Sequence, residues 1–180
     1  MKGVDLKSLA ESHKTDITNK GRYGMVIEKE LGLSNNSFQQ PDFGDAELKC
    51  VPLKYSKKGD ILVKETMAIT MINPDNVINT PFEDSHLYHK IKNLVTVFLL
   101  EDTIHDVKLF APDDSDMEQI KNDYEEVREC LINKSFIHLT SKMGKIVQPR
   151  TKGAGHGTKS RAFYARASFV KKILNLKENI

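Results

Sequence analysis

The stretch that most narrows the fold is Leu94-Val95-Thr96-Val97-Phe98-Leu99-Leu100. It is too short to cross a bilayer, which takes about 20 apolar residues as a helix. It also lacks the polar-apolar alternation of a strand with one wet face. Such a run predicts a central strand covered on both sides, so the chain must supply a layer for each face. With 180 residues there is enough chain for one domain with a real core, in one or two lobes.

The rest of the pattern is α/β with much antiparallel pairing. Residues 1–18 are polar and read as a short helix with a linker. Thr18 and Asn19 are acceptable caps for a helix carrying Tyr23, Val26, Ile27 and Leu31, with Gly32 as its stop. Residues 46–55 predict a strand, Lys57-Lys58-Gly59-Asp60 a turn, and residues 61–72 one returning strand. Leu87, Ile91 and Leu94 suggest a short helix with His89, Lys90 and Lys92 on its polar side. A strand over residues 107–110 should partner the central run. Ser115-Asp116-Met117-Glu118 resembles a capping box opening a long helix through Leu131. Residues 136–139 and 146–147 flank Lys142-Met143-Gly144-Lys145 and predict a hairpin, followed by a glycine-rich loop over residues 148–157. A strand over residues 162–165 and a helix over residues 169–176 close the pattern. A boundary between lobes is expected after Pro74.

The chemistry concentrates in Pro41-Asp42-Phe43-Gly44-Asp45-Ala46-Glu47-Leu48-Lys49. On a strand, period two places Glu47 and Lys49 on one face and Leu48 and Cys50 on the other. Asp42 enters just before. Two carboxylates and an ammonium at one strand end suit metal-assisted phosphodiester hydrolysis: the acids are hard oxygen ligands, and the lysine can orient or deprotonate water and offset charge on phosphorus. The same residues also describe an ordinary solvated Glu/Lys strand. Glu28 is either the edge of a solvated helix face or a third carboxylate aimed at Asp42 and Glu47.

The net charge of +2 hides an asymmetry. Residues 142–177 contain Lys and Arg but no Asp or Glu, so the remainder is net acidic. A basic fifth of the chain with interleaved glycines is the footprint of a polyanion site, or of a solvated basic face. Cys50 and Cys130 are too few for a disulfide framework, and no His/Cys cluster has zinc spacing. Neither a membrane-spanning run nor a signal-peptide core is present, and a cytoplasmic protein without membrane partners is expected.

The order of motifs resembles a known family. Lys20-Gly21-Arg22-Tyr23-Gly24-Met25-Val26-Ile27-Glu28, then Pro41-Asp42-Phe43, then Glu47-Leu48-Lys49 is similar to the MutH mismatch-repair nucleases and to related type II restriction endonucleases that cut GATC. Ser85-His86-Leu87-Tyr88-His89-Lys90-Ile91-Lys92, Val147-Gln148-Pro149-Arg150 and Arg161-Ala162-Phe163-Tyr164 extend the likeness over residues 19–176. Thr151-Lys152-Gly153-Ala154 looks more like the restriction branch.

The resemblance implies a restriction-endonuclease-like mixed sheet flanked by helices, with two lobes around a DNA cleft. Residues 19–180 would be the endonuclease domain behind a polar segment, 1–18. It implies Mg²⁺-dependent cleavage of double-stranded DNA at GATC. Glu28, Asp42 and Glu47 would be the metal-site acids and Lys49 the catalytic lysine. Lys20, Lys90, Lys92, Gln148, Arg150, Lys152 and Tyr164 would be the DNA-binding set, with Tyr164 near the target adenine. Two departures from MutH matter. The Asp42–Glu47 gap is two residues shorter, and Asp45 competes with Asp42 as ligand; the Pro-Asp neighbour favours Asp42. Gln148 stands where MutH has arginine, and glutamine suits adenine where arginine suits guanine. Three functions stay open: a restriction enzyme, as a homodimer on DNA; a repair nickase with a MutL-like partner; and a DNA-binding module without catalysis.

Overall fold

The computed structural model describes residues 2–15, 22–33, 41–153 and 160–175. Along the chain run α1 (Leu6–Ser12), α2 (Arg22–Glu30), β1 (Glu47–Tyr55), β2 (Ile61–Val63), β3 (Met67–Met71), α3 (Pro74–Asn79), α4 (His86–Ile91), β4 (Leu94–Leu100), β5 (Thr103–Phe110), α5 (Asp114–Asn133), β6 (Val147–Thr151), β7 (Arg161–Ala165) and α6 (Ala167–Leu174). The architecture is mixed α/β, in two sheets.

The first sheet has the order β2-β1-β4-β5. Strand β1 runs parallel to β4, with Glu47 opposite Leu94 and Lys49 opposite Thr96, while its other neighbour β2 is antiparallel. A parallel pair needs a crossover, and here it passes through β2, β3, α3 and α4. Strand β4 is covered on both faces. Leu94 and Phe98 enter the larger apolar cluster, with Val51, Tyr124 and Phe163. Val97 and Leu99 enter a smaller one with Leu6, Ile27 and Leu48. Full burial of a side chain such as Phe98 stabilises by about 1.5–3 kcal/mol.

The second sheet, β3-β7-β6, is antiparallel throughout. Helix α5 packs across it through Ile120, Tyr124, Val127 and Leu131. Within that apolar stripe Asp123 is also buried. Its carboxylate accepts the N–H groups of Lys145, Ile146 and Val147 at 2.7–2.8 Å. Arg166 donates to the carbonyls of Ser141, Met143 and Gly144 from the other side. Together they fix where β6 begins.

Several expectations are corrected. The single strand over residues 61–72 is two strands in different sheets: Lys64 N–H makes a bond to Pro52 carbonyl at 3.0 Å, and the chain then leaves β1. The chain thus first passes between the sheets before Pro74, and it crosses again from β3 to β4 and from β5 to β6, so no single boundary divides them. The hairpin around Lys142–Lys145 is instead a 3-10 turn at Phe136–His138 and a tethered loop. Gln148 to Thr151 form strand β6 rather than loop. The long helix is capped by Asp113, whose side chain accepts from Asp116 N–H at 2.8 Å, and not by Ser115. Strand β5 begins at Thr103, four residues ahead of the expected start.

Candidate active site

Strand β1 begins where α4 ends. Glu47 N–H donates to Asn93 carbonyl at 2.9 Å, so its side chain starts life beside the last turn of that helix. It lies on the same face as Val51 and Leu53, which enter the larger cluster, and is 2% exposed. A carboxylate that deep must be paired. Lys90 from α4 reaches it at 3.0 and 3.2 Å, and Lys49, two residues along the strand, bonds the same Oε1. Lys90 is thus part of this cluster and not a free cation on a helix surface.

Asp42 sits in the turn before β1. Phe43 N–H closes that turn on Ala46 carbonyl at 2.9 Å, and Gly44 takes φ +77°, a left-handed value that suits glycine. Asp42 is half-buried, and its Oδ2 accepts Leu48 N–H at 2.9 Å, which folds the carboxylate back over the strand. Asp45 is exposed. Glu28 approaches from α2, next to the buried Val26 and Ile27. Burial pushes its carboxyl above the usual range, the charge of Asp42 adds to this, and Glu47 contributes less; Lys49 opposes them. The four groups therefore feel one another's charge. On the opposite face of β1, burial pushes the Cys50 thiol up to about 12, so it stays a protonated packing group.

The donor chemistry of Glu28, Asp42 and Glu47 fits a hard divalent cation, which prefers carboxylate oxygen and would offset the repulsion that raises Glu28. Among the described residues no three acidic, His or Cys side chains stand as a ready-made cage. In this arrangement the two lysines occupy Glu47 instead.

A cleft of about 940 Å³ opens beside Lys49 and is lined on its far side by Arg150, Lys152 and Tyr164 of the second sheet. Arg150 is exposed at the end of β6, with its guanidinium 5.7 Å from the centre of the Tyr164 ring. Burial, then the charges of Lys49 and Lys90, hold the Lys152 ammonium below its usual range, so it faces the same cluster. Gln148 is 5% exposed, opposite Tyr164 in the sheet, and stands within the strand rather than in an open reading loop. Lys92 caps α4, 5.9 Å over the ring of Tyr88. Lys20 lies outside the described residues.

Sequence reasoning missed three relations. The Lys90–Glu47 pair spans 43 positions and has no local signature. The bond from Arg150 to Thr66, described below, spans 84. Asp123 did have a signal, as a lone acid within the apolar stripe of α5.

A sequence profile of the family described as DNA mismatch repair enzyme MutH matches residues 31–123, just over half of the chain. The chain belongs to the MutH family. The matched segment contains Asp42, Glu47, Lys49 and Lys90, and so the whole lysine-flanked carboxylate. Similarity extends well beyond it. The DNA mismatch repair protein MutH of Shewanella woodyi is 28% identical over 97% of this chain and 87% of its own length. The proteins of the same name from Vibrio vulnificus and Shewanella baltica are each 26% identical, over 96% and 97% of this chain and 87% and 90% of their own lengths. Among the described residues no helix is long and apolar enough to cross a membrane.

Proposed function

We propose that this MutH-family chain is a divalent-metal-dependent endonuclease that hydrolyses phosphodiesters of double-stranded DNA at GATC or a related site. The observation that carries the reading is Glu47, buried between Lys49 and Lys90 and neighboured by Asp42 and Glu28, with Lys49 bordering a cleft that Arg150 and Lys152 also line. Residues 19–180 are taken as the endonuclease unit and 1–18 as its polar N-terminal segment.

Asp42 and Glu47, with Glu28 directly or through water, would hold the cation, Mg²⁺ by preference for all-oxygen ligands. When bound, it would polarise the phosphate and acidify a water. Lys49 orients the attacking water and offsets negative charge gathering on the phosphate oxygens. Lys90 holds the Glu47 carboxylate in place. Lys152 and Lys20 track the backbone, while Arg150 and Tyr164 face the bases. Gln148, buried as it is, supports this face from within β6. Lys92 lies further from the cleft and is assigned to backbone contact. The set Glu28, Asp42, Glu47 and Lys49 supports catalysis over a binding-only module, which has no use for all four.

The product distinguishes two forms of this reading. One site per chain cuts one strand. The names of the relatives favour a nick, made with a MutL-like partner, and Thr151-Lys152-Gly153-Ala154 favours a restriction enzyme that pairs as a homodimer on DNA. Supercoiled plasmid bearing a single GATC, incubated with Mg²⁺, gives open circles in the first case and linear DNA in the second. Intact supercoils at every protein concentration would refute both.

A further inference from the structure

Residues 64–66 lead from β2 to β3, and Thr66 stands just before β3. Its Oγ1 accepts a hydrogen bond from Arg150 Nη1 at 2.7 Å. The same guanidinium lies over the Tyr164 ring. Sheet register accounts for the meeting. Ala68 and Gln148 both lie opposite Tyr164, so these three share a face, and Arg150 is two positions on from Gln148 along β6. Thr66, Arg150 and Tyr164 all line the cleft that Lys49 borders.

An arginine at a strand end otherwise samples many rotamers. A hydroxyl acceptor on one side and an aromatic face on the other hold the planar guanidinium in one orientation before any ligand arrives, at the wall of the cleft. We infer that Thr66 is a positioning residue for Arg150, and that it sets how strictly the base pair facing Arg150 is read. The inference rests on the proposed function and deepens it, because the chain between the sheets then takes part in sequence discrimination.

Thr66→Val removes the hydroxyl at nearly constant shape, and Thr66→Ser keeps it. Equilibrium binding is measured in divalent-free buffer for a fluorescent GATC duplex and for each duplex with one base pair changed, alongside thermal melting. Thr66→Val should lose about tenfold in discrimination at one base pair, the scale of a hydrogen bond to a charged group. Its melting temperature should stay that of wild type, and Thr66→Ser should discriminate as wild type does. Arg150→Ala should lose discrimination at that same base pair, and adding Thr66→Val to it should change nothing further, as a coupled pair requires. Wild-type discrimination in Thr66→Val, a defect in Thr66→Ser equal to that of the valine variant, or an equal loss on every duplex would overturn the inference alone. Wild type binding GATC no better than the altered duplexes would overturn the proposed function and this inference with it.

Discussion

Glu47 and Glu28 are carboxylates with opposite environments. Glu47 is buried with an ammonium from each of Lys49 and Lys90, so removing it leaves two half-buried cations without their shared counter-charge. Glu47→Ala should therefore lose stability as well as cleavage. Among the described residues Glu28 has no such ion-pair partner, and burial with the nearby Asp42 charge raises its carboxyl above the usual range. The sign follows directly: its ionised form is disfavoured in the fold, so it costs stability at neutral pH and stops doing so once acid protonates it. Glu28→Gln should raise the melting temperature in divalent-free buffer at neutral pH, and the gain should vanish in acid. The same variant should lose roughly 100-fold or more in cleavage, as for a group acting at the reacting centre. A lower neutral melting temperature for Glu28→Gln would show that its charge is compensated after all. Lys49→Arg keeps the charge without the compact ammonium, and cleavage by it at the wild-type rate would reduce Lys49 to general electrostatics.

At the scale of elements, the sequence showed strands where burial is continuous or strictly alternating. Strand β4 was legible as an apolar run, and β1 as an alternation with acid and lysine on one side. Strand β6 was not, because Gln148, Pro149 and Arg150 have the composition of a loop. Proline is tolerated there because β6 is the edge of its sheet, where a missing N–H breaks no ladder. What makes β6 a strand lies elsewhere in the chain. The Asp123 carboxylate collects three backbone N–H groups at its start, and Gly144 turns the preceding loop at φ +71°. A Cβ on Gly144 would stand 1.9 Å from Val147 carbonyl oxygen. Asp123→Ala should cost about 3 kcal/mol or more, since it strands buried donors, and Gly144→Ala should also destabilise. Denaturant unfolding checks both. A loss below about 1 kcal/mol for Asp123→Ala would mean that water or another acceptor replaces the carboxylate.

For the whole molecule, the sheets interleave in sequence: β1, β2, β4 and β5 build one, and β3, β6 and β7 the other. Neither is a continuous segment, which is why a boundary could not be read from composition. The acid-free stretch of residues 142–177 supplies β6, β7 and α6, so the cleft has a cationic wall opposite Lys49. Affinity for DNA should fall linearly in log–log form with salt, and Lys152→Ala should reduce the slope by about 1 if that ammonium meets a phosphate. An unchanged slope would place Lys152 away from the backbone. The four groups named from sequence, Glu28, Asp42, Glu47 and Lys49, come within reach of one another's charge. Their lysine partner from α4 needed the fold. In the proposed reading, the turn and first residues of β1 form the cutting centre, with Asp42 and not Asp45 as its acid. The single-turnover cleavage rate of a GATC duplex with Mg²⁺ decides this for wild type, Asp42→Ala and Asp45→Ala, with duplex binding followed in parallel. Cleavage is expected from wild type and Asp45→Ala, none from Asp42→Ala, and binding from all three. Wild-type cleavage by Asp42→Ala, or its loss only in Asp45→Ala, would contradict it.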